Sequence, residues 1–357
     1  MTIKVSEESK ETSAVIKVIG VGGAGGNAVN RMAKGGVRGV QLIAANSDAQ
    51  DLRRSEAEIC LQLGETLTKG LGVGGDPAKG RAAAQESEAS LKDVLAGADM
   101  VFVTAGMGGG TGTGGAPVVA RLAKAMGALT IGVVTRPFRF EGQLRDKLAE
   151  SGIQELRQSV DTLLVIPNDR LFDVVEENTP SEEAFRLADD VLRQAVQSIS
   201  DVITTSGNIN MDLNDLRAIM TDSGEALIGL GEATGADRAV QAAKEAVTSP
   251  LLENVNIAGA KGLLVNITGR MSQLALKEFD EAMSYIQPQV SPEARVKFGM
   301  VLDDTLGESL RITVIATRLT AQRRRTSIAG PSRLPVKAGP EDWSKPAFLR
   351  LKVRKLK

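Results

Sequence analysis

Histidine is absent from the 357 residues of this chain. That removes Ser-His-Asp and Cys-His catalysis, and with them every His-ligated zinc site. Any chemistry must rest on carboxylates, Arg and Lys, hydroxyls, backbone dipoles or a hard cation held by oxygen ligands. Cysteine occurs once, as Cys60, so no intramolecular disulfide can form and a reducing cytosol suits the chain. Aromatic residues make up only 3%, which leaves Val, Ile, Leu and Ala to build the core. No apolar run is long enough to span a bilayer. The polar residues 1–13 lack the apolar segment of a secretory signal. Length and composition predict a cytoplasmic protein of two ordinary domains.

A net charge of −1 conceals an imbalance. Residues 318–357 carry 12 Lys/Arg against 2 Asp/Glu, so an acidic body precedes a basic end. Such an end predicts contact with something anionic, or with the body of another copy.

Glycine is plentiful, and its placement is informative. Six glycines and two threonines fill Gly108–Gly115, directly after the apolar run Met100–Val103. A loop with so little bulk brings backbone N–H groups close to an anion, and the threonine hydroxyls add donors. The helix expected at residues 117–124 would aim its positive dipole end at the same place. A linker is not squeezed between a buried strand and a helix, so a polyphosphate cradle is the better reading. It is not a Walker A motif, because the chain contains no Gly-Lys dipeptide. A second run, Gly20–Gly25, has the Gly-x-Gly-x-x-Gly spacing of a dinucleotide site and, alone, suggests a nicotinamide-dependent oxidoreductase. Such a site wants an acid at the end of the next strand, where Asn46 stands instead. Two glycine turns on one sheet point to one nucleotide embraced from both sides, with a third run at residues 69–75 closing over the phosphates.

The first half alternates short Val/Ile-rich runs with helical patterns, the mark of an α/β fold with a parallel, Rossmann-like sheet. Strands are expected at residues 15–20, 41–45, 100–104, 130–135 and 162–167. Thr179-Pro180-Ser181-Glu182 reads as an N-cap, a first-turn proline and a capping-box acid. Helical spacing then runs through Phe185, Ala188, Leu192, Ala195, Ile199 and Val202, a connecting helix of about six turns and roughly 30 Å. A smaller α/β layer follows, with strands at 262–268, 296–302 and 311–317 and helices near 239–248 and 273–286. The expected divisions are a disordered 1–13, a nucleotide-binding domain at 14–178, the connecting helix at 179–206, a C-terminal domain at 207–317, a flexible linker at 318–341 and a basic tail peptide at 342–357.

Taken with Asn46-Ser47-Asp48, the Pro137–Gly142 segment and the acids after Gly207, these runs resemble the tubulin/FtsZ family over essentially the whole chain. The resemblance implies that family's two-domain fold, GTP and GDP as ligands with Mg²⁺, and GTP hydrolysis coupled to head-to-tail assembly. It places Gly22, Gly23 and Asn27 in a first nucleotide loop, Asn46 in a second, and Gly72 and Gly74 in a third. Gly108, Gly109, Gly110, Thr111, Gly112, Thr113 and Gly114 form the phosphate signature. Glu141 goes to the sugar, Arg145 to the γ-phosphate side, and Asn168, Phe185 and Asp189 to the guanine. Asn210, Asp212 and Asp215 would enter the next subunit's pocket and orient the attacking water, alone or with a bound cation. Read without the resemblance, two acids opening a helix are caps that compensate its dipole. The metal ligands stay open. Residues 343–351, from Trp343, resemble the family's adaptor-binding peptide, and the basic 352–357 suit anionic lipid. The implied role is a cytoplasmic division ring at the membrane, without nucleic acid. A filament outside division, for plasmid segregation or cell shape, remains the alternative.

Overall fold

Apolar runs buried on both faces are what a parallel sheet demands, and the first half of the chain supplies them at regular intervals. The computed structural model describes residues 14–173, 180–204, 211–252, 257–270 and 274–319. In it β1 (Ile16–Val21) leads into α1 (Gly22–Lys34), and β2 (Val40–Asn46) into the short α2 (Ala49–Leu52). β3 (Ile59–Gln62) is followed by α3 (Glu65–Thr68), α4 (Pro77–Glu86) and α5 (Glu88–Leu95). Then β4 (Met100–Gly106), α6 (Thr111–Ala125), β5 (Leu129–Arg136), α7 (Gln143–Ser159) and β6 (Thr162–Pro167) continue the alternation. The connecting helix α8 (Ser181–Thr204) has 24 residues, about 36 Å at 1.5 Å each. Beyond it lie α9 (Leu213–Met220), β7 (Gly224–Ala233), α10 (Arg238–Val247), β8 (Gly262–Gly269), α11 (Leu276–Ile286), β9 (Arg295–Leu302) and β10 (Leu310–Thr317). The expected residues 1–13, the Thr179 cap, Asn210, and the linker and tail from residue 320 lie outside the described residues.

The strands form one sheet in the order β3-β2-β1-β4-β5-β6-β7-β10-β8-β9. Neighbours are parallel from β3 to β7. β10 is antiparallel to both β7 and β8, and β9 runs parallel to β8 at the far edge. Successive residues of a strand face opposite sides, and the cores divide accordingly. Val18, Phe102 and Ile131 join Met32 of α1 and Leu192 and Ile199 of α8 in one core. Ile19, Val103 and Val134 join Leu91, Val119 and Leu156 of α5, α6 and α7 in the other. A third core packs α10 and α11 on β8 and β10 through Ala242, Phe279, Val265 and Val314.

Two strands depart from expectation: β3, a four-residue edge strand, and β7, whose apolar signal is diluted by glycine. The helix expected to begin at Pro117 begins instead at Thr111, inside the glycine run, with Pro117 in its interior. The loop proper is therefore shorter than the run suggests. Gly114 already donates its N–H to Gly110 O at 3.0 Å, the first bond of the helix. A Cβ on Gly114 would collide with the Pro77 carbonyl and lie 2.6 Å from Arg81 N, so α4 crosses α6 at backbone contact. Alanine is the better helix former by about 1 kcal/mol, but here the obstructing atoms are backbone and cannot swing aside. Overpacking of this kind typically costs about 1–3 kcal/mol. Gly114→Ala should thus lower the urea midpoint at unchanged slope; a raised midpoint would show that the crossing is loose.

Candidate functional site

The strand order reverses between β1 and β4. In an open α/β sheet the crevice outside the C-terminal strand ends at such a point is where ligands sit. A cavity of about 330 Å³ opens there. Its floor is Val21–Ala24 after β1, and Gly106, Met107 and Gly109–Gly112 after β4. Thr135, Pro137 and Asn168 follow from β5 and β6, and Glu141 and Arg145, with Phe185, Ala188 and Asp189 of α8, complete the lining.

One end of the cavity suits phosphate. Gly22 makes the strand-to-helix turn at φ +74°, where a Cβ would lie 2.8 Å from Gly112 N, so the two turns touch through backbone alone. Neither α1 nor α6 has a side-chain cap or an acid in its first turn. Their first-turn N–H groups and positive dipole ends open on the cavity together, which makes an anion site from backbone. Arg145 stands beside it, ion-paired with Glu141, whose Oε1 also accepts from Phe138 N at 2.9 Å.

The other end suits a flat heterocycle. Asn168 is buried, and its Oδ1 has no hydrogen-bond partner among the described residues. A buried acceptor left open is costly unless a ligand completes it. Burial pushes the Asp189 carboxyl up to about 6, with Arg31 pulling the other way and Asp190 adding to the rise. Of the apolar positions that predicted α8, Ala188, Leu192, Ala195, Ile199 and Val202 are buried, whereas Phe185 is 43% exposed. Its ring lies nearly perpendicular to that of Phe138 at 5.3 Å, and it lines the cavity, where a flat base can pack on it. An acceptor, a carboxylate and a ring face arranged together can hold a base that presents adjacent N–H donors.

Not every expected residue lines this cavity. Gly22, Gly23, Gly109, Gly110, Thr111, Gly112, Glu141, Arg145, Asn168, Phe185 and Asp189 do. The Gly108 N–H donates to Thr113 Oγ1 at 2.8 Å, so both residues shape the turn from behind, and Gly114 packs on α4. Asn27 and Asn46 line an adjoining cavity of about 130 Å³ that shares Gly22 and Gly23. There Asn46 Nδ2 donates to Asp51 Oδ2 at 3.1 Å. Gly72 and Gly74, at φ +77° and +61°, lie in the loop before α4 and line neither. Val21, Ala24, Gly106, Met107, Thr135, Pro137 and Ala188 line it beyond the expected site residues, and the Ser47 hydroxyl stands behind it, sharing a 2.6 Å hydrogen bond with that of Thr111. Ser47 carried a signal, since it sits between Asn46 and Asp48.

The acids of α9 are elsewhere. Asp212 caps that helix, accepting from Asp215 N at 2.7 Å, and Asp215 pairs with Lys297. Arg217 of the same helix donates to the carbonyls of Asp99 at 3.0 Å and Gly127 at 3.4 Å. Those carbonyls precede β4 and β5, so α9 lies at the N-terminal edge of the sheet and the cavity at the C-terminal edge. The seven residues of β4 separate the edges by roughly 23 Å. The acids do not reach the cavity of their own chain.

Comparison with known proteins agrees with this geometry. Residues 15–176 match the model of the tubulin/FtsZ family GTPase domain, and residues 224–320 that of the FtsZ family C-terminal domain. An empty FtsZ dimer of M. jannaschii is similar at 43% identity and a TM-score of 0.83, over 86% of this chain and 89% of that one. GDP-bound monomeric CetZ1 from Haloferax volcanii is similar at 23% identity and a TM-score of 0.72, over 86% and 95%. GTPγS-bound CetZ2 of the same organism, a protofilament, gives 23% and 0.70, over 87% and 95%. The CetZ likenesses show a shared fold, and the FtsZ likeness goes further. Sheet order, glycine turns and matched spans converge: the chain belongs to the FtsZ branch of the tubulin/FtsZ family of GTPases.

Proposed function

We propose that the cavity takes a guanine nucleotide, and that GTP is hydrolysed where one copy docks head to tail on the next. Phosphates would rest on the N-termini of α1 and α6, and the base against Phe185, Asn168 and Asp189. The observation that carries this reading is the separation of cavity and acids onto opposite edges of one sheet. A neighbour stacked in the same orientation would bring its Asp212 and Asp215, with Asn210, to this cavity. There a carboxylate would hold the attacking water and take up its proton. Exposed Leu67, Leu71, Phe140 and Leu144, all at the C-terminal edge near the cavity, support docking on that side.

Mg²⁺ with the nucleotide fits the donors present. Among the described residues no group of three acids is placed to hold a metal ion, and the side-chain oxygens lining the cavity are those of Thr111, Thr135 and Glu141, with Asn168 and Asp189 at the end assigned to the base. So sparse a set suits an ion that keeps phosphate oxygens and water in its octahedral shell, where it would offset phosphate charge.

The filament's proposed place is the cytoplasmic face of the membrane at the division site, and no described helix is long and apolar enough to cross a bilayer. Residues 343–351 would bind a membrane adaptor by ordering in its groove. Residues 352–357 would add attraction to anionic lipid, about 1 kcal/mol per basic residue near the surface. One experiment tests the whole reading: sedimentation with GTP or GDP, with phosphate release followed in parallel and anionic vesicles added. Polymer and phosphate release should require GTP. Deleting residues 342–357 should abolish vesicle recruitment while leaving turnover intact. Equal pelleting with GDP, or a collapse of turnover on truncation, would refute the corresponding part.

A further inference from the structure

The sequence marks Asp212 and Asp215 but gives no sign of what faces them. In the fold Asp215 faces Lys297, on the edge strand β9. Lys297 and Gly299 share one face of that strand, and a Cβ on Gly299 would lie 2.9 Å from Val202 of α8. Phe298, on the other face, stacks edge-on with Phe279 of α11 at 5.0 Å. Lys297 therefore points toward the α8 and α9 side, where its Nζ meets Asp215 Oδ1 at 2.5 Å. The two side chains are 39% and 41% exposed, and a pair this open to water adds little to stability.

What the pair changes is the charge that this face presents. Asp212 and Asp215, three residues apart at a helix start, together present two negative charges. A docked neighbour's triphosphate is itself strongly anionic, and at a water-poor junction like charges repel with little screening. We infer that Lys297 is the built-in countercharge of these acids: it holds Asp215 by one oxygen and cancels half of the negative charge that this pair of acids would carry onto a neighbour's phosphates. This rests on the proposed action of Asp212 and Asp215 across the junction. Lys297 is thus a positioning residue that acts through Asp215 and leaves Asp212 as the unneutralised carboxylate.

Lys297→Met, Lys297→Arg, Asp215→Asn and the double variant Asp215→Asn/Lys297→Met would be compared as full-length chains, with folding checked by thermal melts. The first readout is the assembly threshold with Mg²⁺ and a non-hydrolysable GTP analogue, from low to high salt. Lys297→Met should raise that threshold at least about threefold at low salt, as an uncompensated charge at an interface does. The ratio to wild type should shrink as added salt shortens the screening length. The second readout is GTP turnover per assembled subunit, which should fall about tenfold with KM unchanged. Lys297→Arg should restore both, and the double variant should match Asp215→Asn alone, since the lysine acts through that residue. If Asp215→Asn impairs turnover but Lys297→Met matches wild type, the countercharge role is refuted alone. A Lys297→Met defect that salt does not diminish and arginine does not rescue also refutes it, in favour of simple packing. Normal turnover in Asp215→Asn would refute the junction reading as well.

Discussion

Asp212→Asn should bind GTP as the wild type does and hydrolyse it roughly 10²–10⁴ times more slowly, the usual loss when a carboxylate that orients water or takes its proton is removed. Asparagine is chosen because it caps a helix as well as aspartate does, whereas Asp212→Ala would also forfeit about 1 kcal/mol of capping. Binding is spared because α9 lies at the sheet edge opposite the cavity. The partner for a mixing test is Gly109→Glu. A Cβ at Gly109 meets nothing within 4 Å, so the backbone tolerates the side chain. The carboxylate it brings would repel phosphate from the cradle. One variant keeps a sound cavity and the other sound acids, so mixed junctions should recover turnover that neither shows alone. Wild-type turnover per subunit should rise steeply above a threshold concentration. Turnover independent of concentration, with no recovery on mixing, would place hydrolysis within a single chain.

The second large effect concerns the base. An ionised Asp189 would accept from both N1–H and the 2-amino group of guanine, a pair that adenine lacks. Sites that hydrogen-bond their ligand reject analogues without the partner groups by about 10⁴–10⁵. GTP should be preferred over ATP on that scale, and Asp189→Ala should weaken GTP binding without unfolding α8, whose apolar face is untouched. Asp189 also predicts a pH dependence. Its carboxyl is raised to about 6 by burial, so below that pH it is protonated in the empty cavity and cannot accept twice. Guanine selects the ionised form, so affinity should be level above pH 6 and fall about tenfold per unit below it. Asp189→Asn removes the titration and should flatten the profile. Titrations against pH, with GTP and ATP in parallel, check both points. Equal affinity for the two nucleotides, or a profile that Asp189→Asn leaves unchanged, would remove Asp189 from base recognition.

How much was legible in advance depended on where the relevant contacts lie along the chain. Strands buried on both faces announce themselves as continuous Val/Ile runs, and β1, β2, β4, β5, β6, β8, β9 and β10 fall within a residue or two of expectation. β7 was hidden because Gly229 and Gly231 stand where α10 presses on the sheet. A Cβ at either would strike the carbonyl of Ala246 or Ala242, so close packing erased the apolar pattern that packing usually leaves. The start of α6 was obscured in the same way, since a glycine run reads as loop although Gly114 is there to admit α4. In the site, residues that follow strand ends were readable through resemblance, as were Phe185 and Asp189, four apart on one helix. Gly108, Thr113 and Gly114 belong to the same motif yet serve its shape from behind. The Ser47–Thr111 and Asp215–Lys297 pairs join residues 64 and 82 positions apart, and no local pattern could disclose them.

The placement of cavity and acids on opposite edges has a simple arithmetic consequence. If every complete site needs one edge from each of two copies, a row of n copies contains n − 1 complete sites. The remaining cavity, at one terminus, has no acids facing it. Its nucleotide outlives the others, and it alone is open to exchange with solution. A pair would work at half the rate per copy of a long row, so the measured rate doubles as a length gauge. The two termini would be chemically unlike: one would display an unhydrolysed nucleotide, the other Asp212 and the Asp215–Lys297 pair. Anything that must tell the growing end of such a row from its other end has that difference to read.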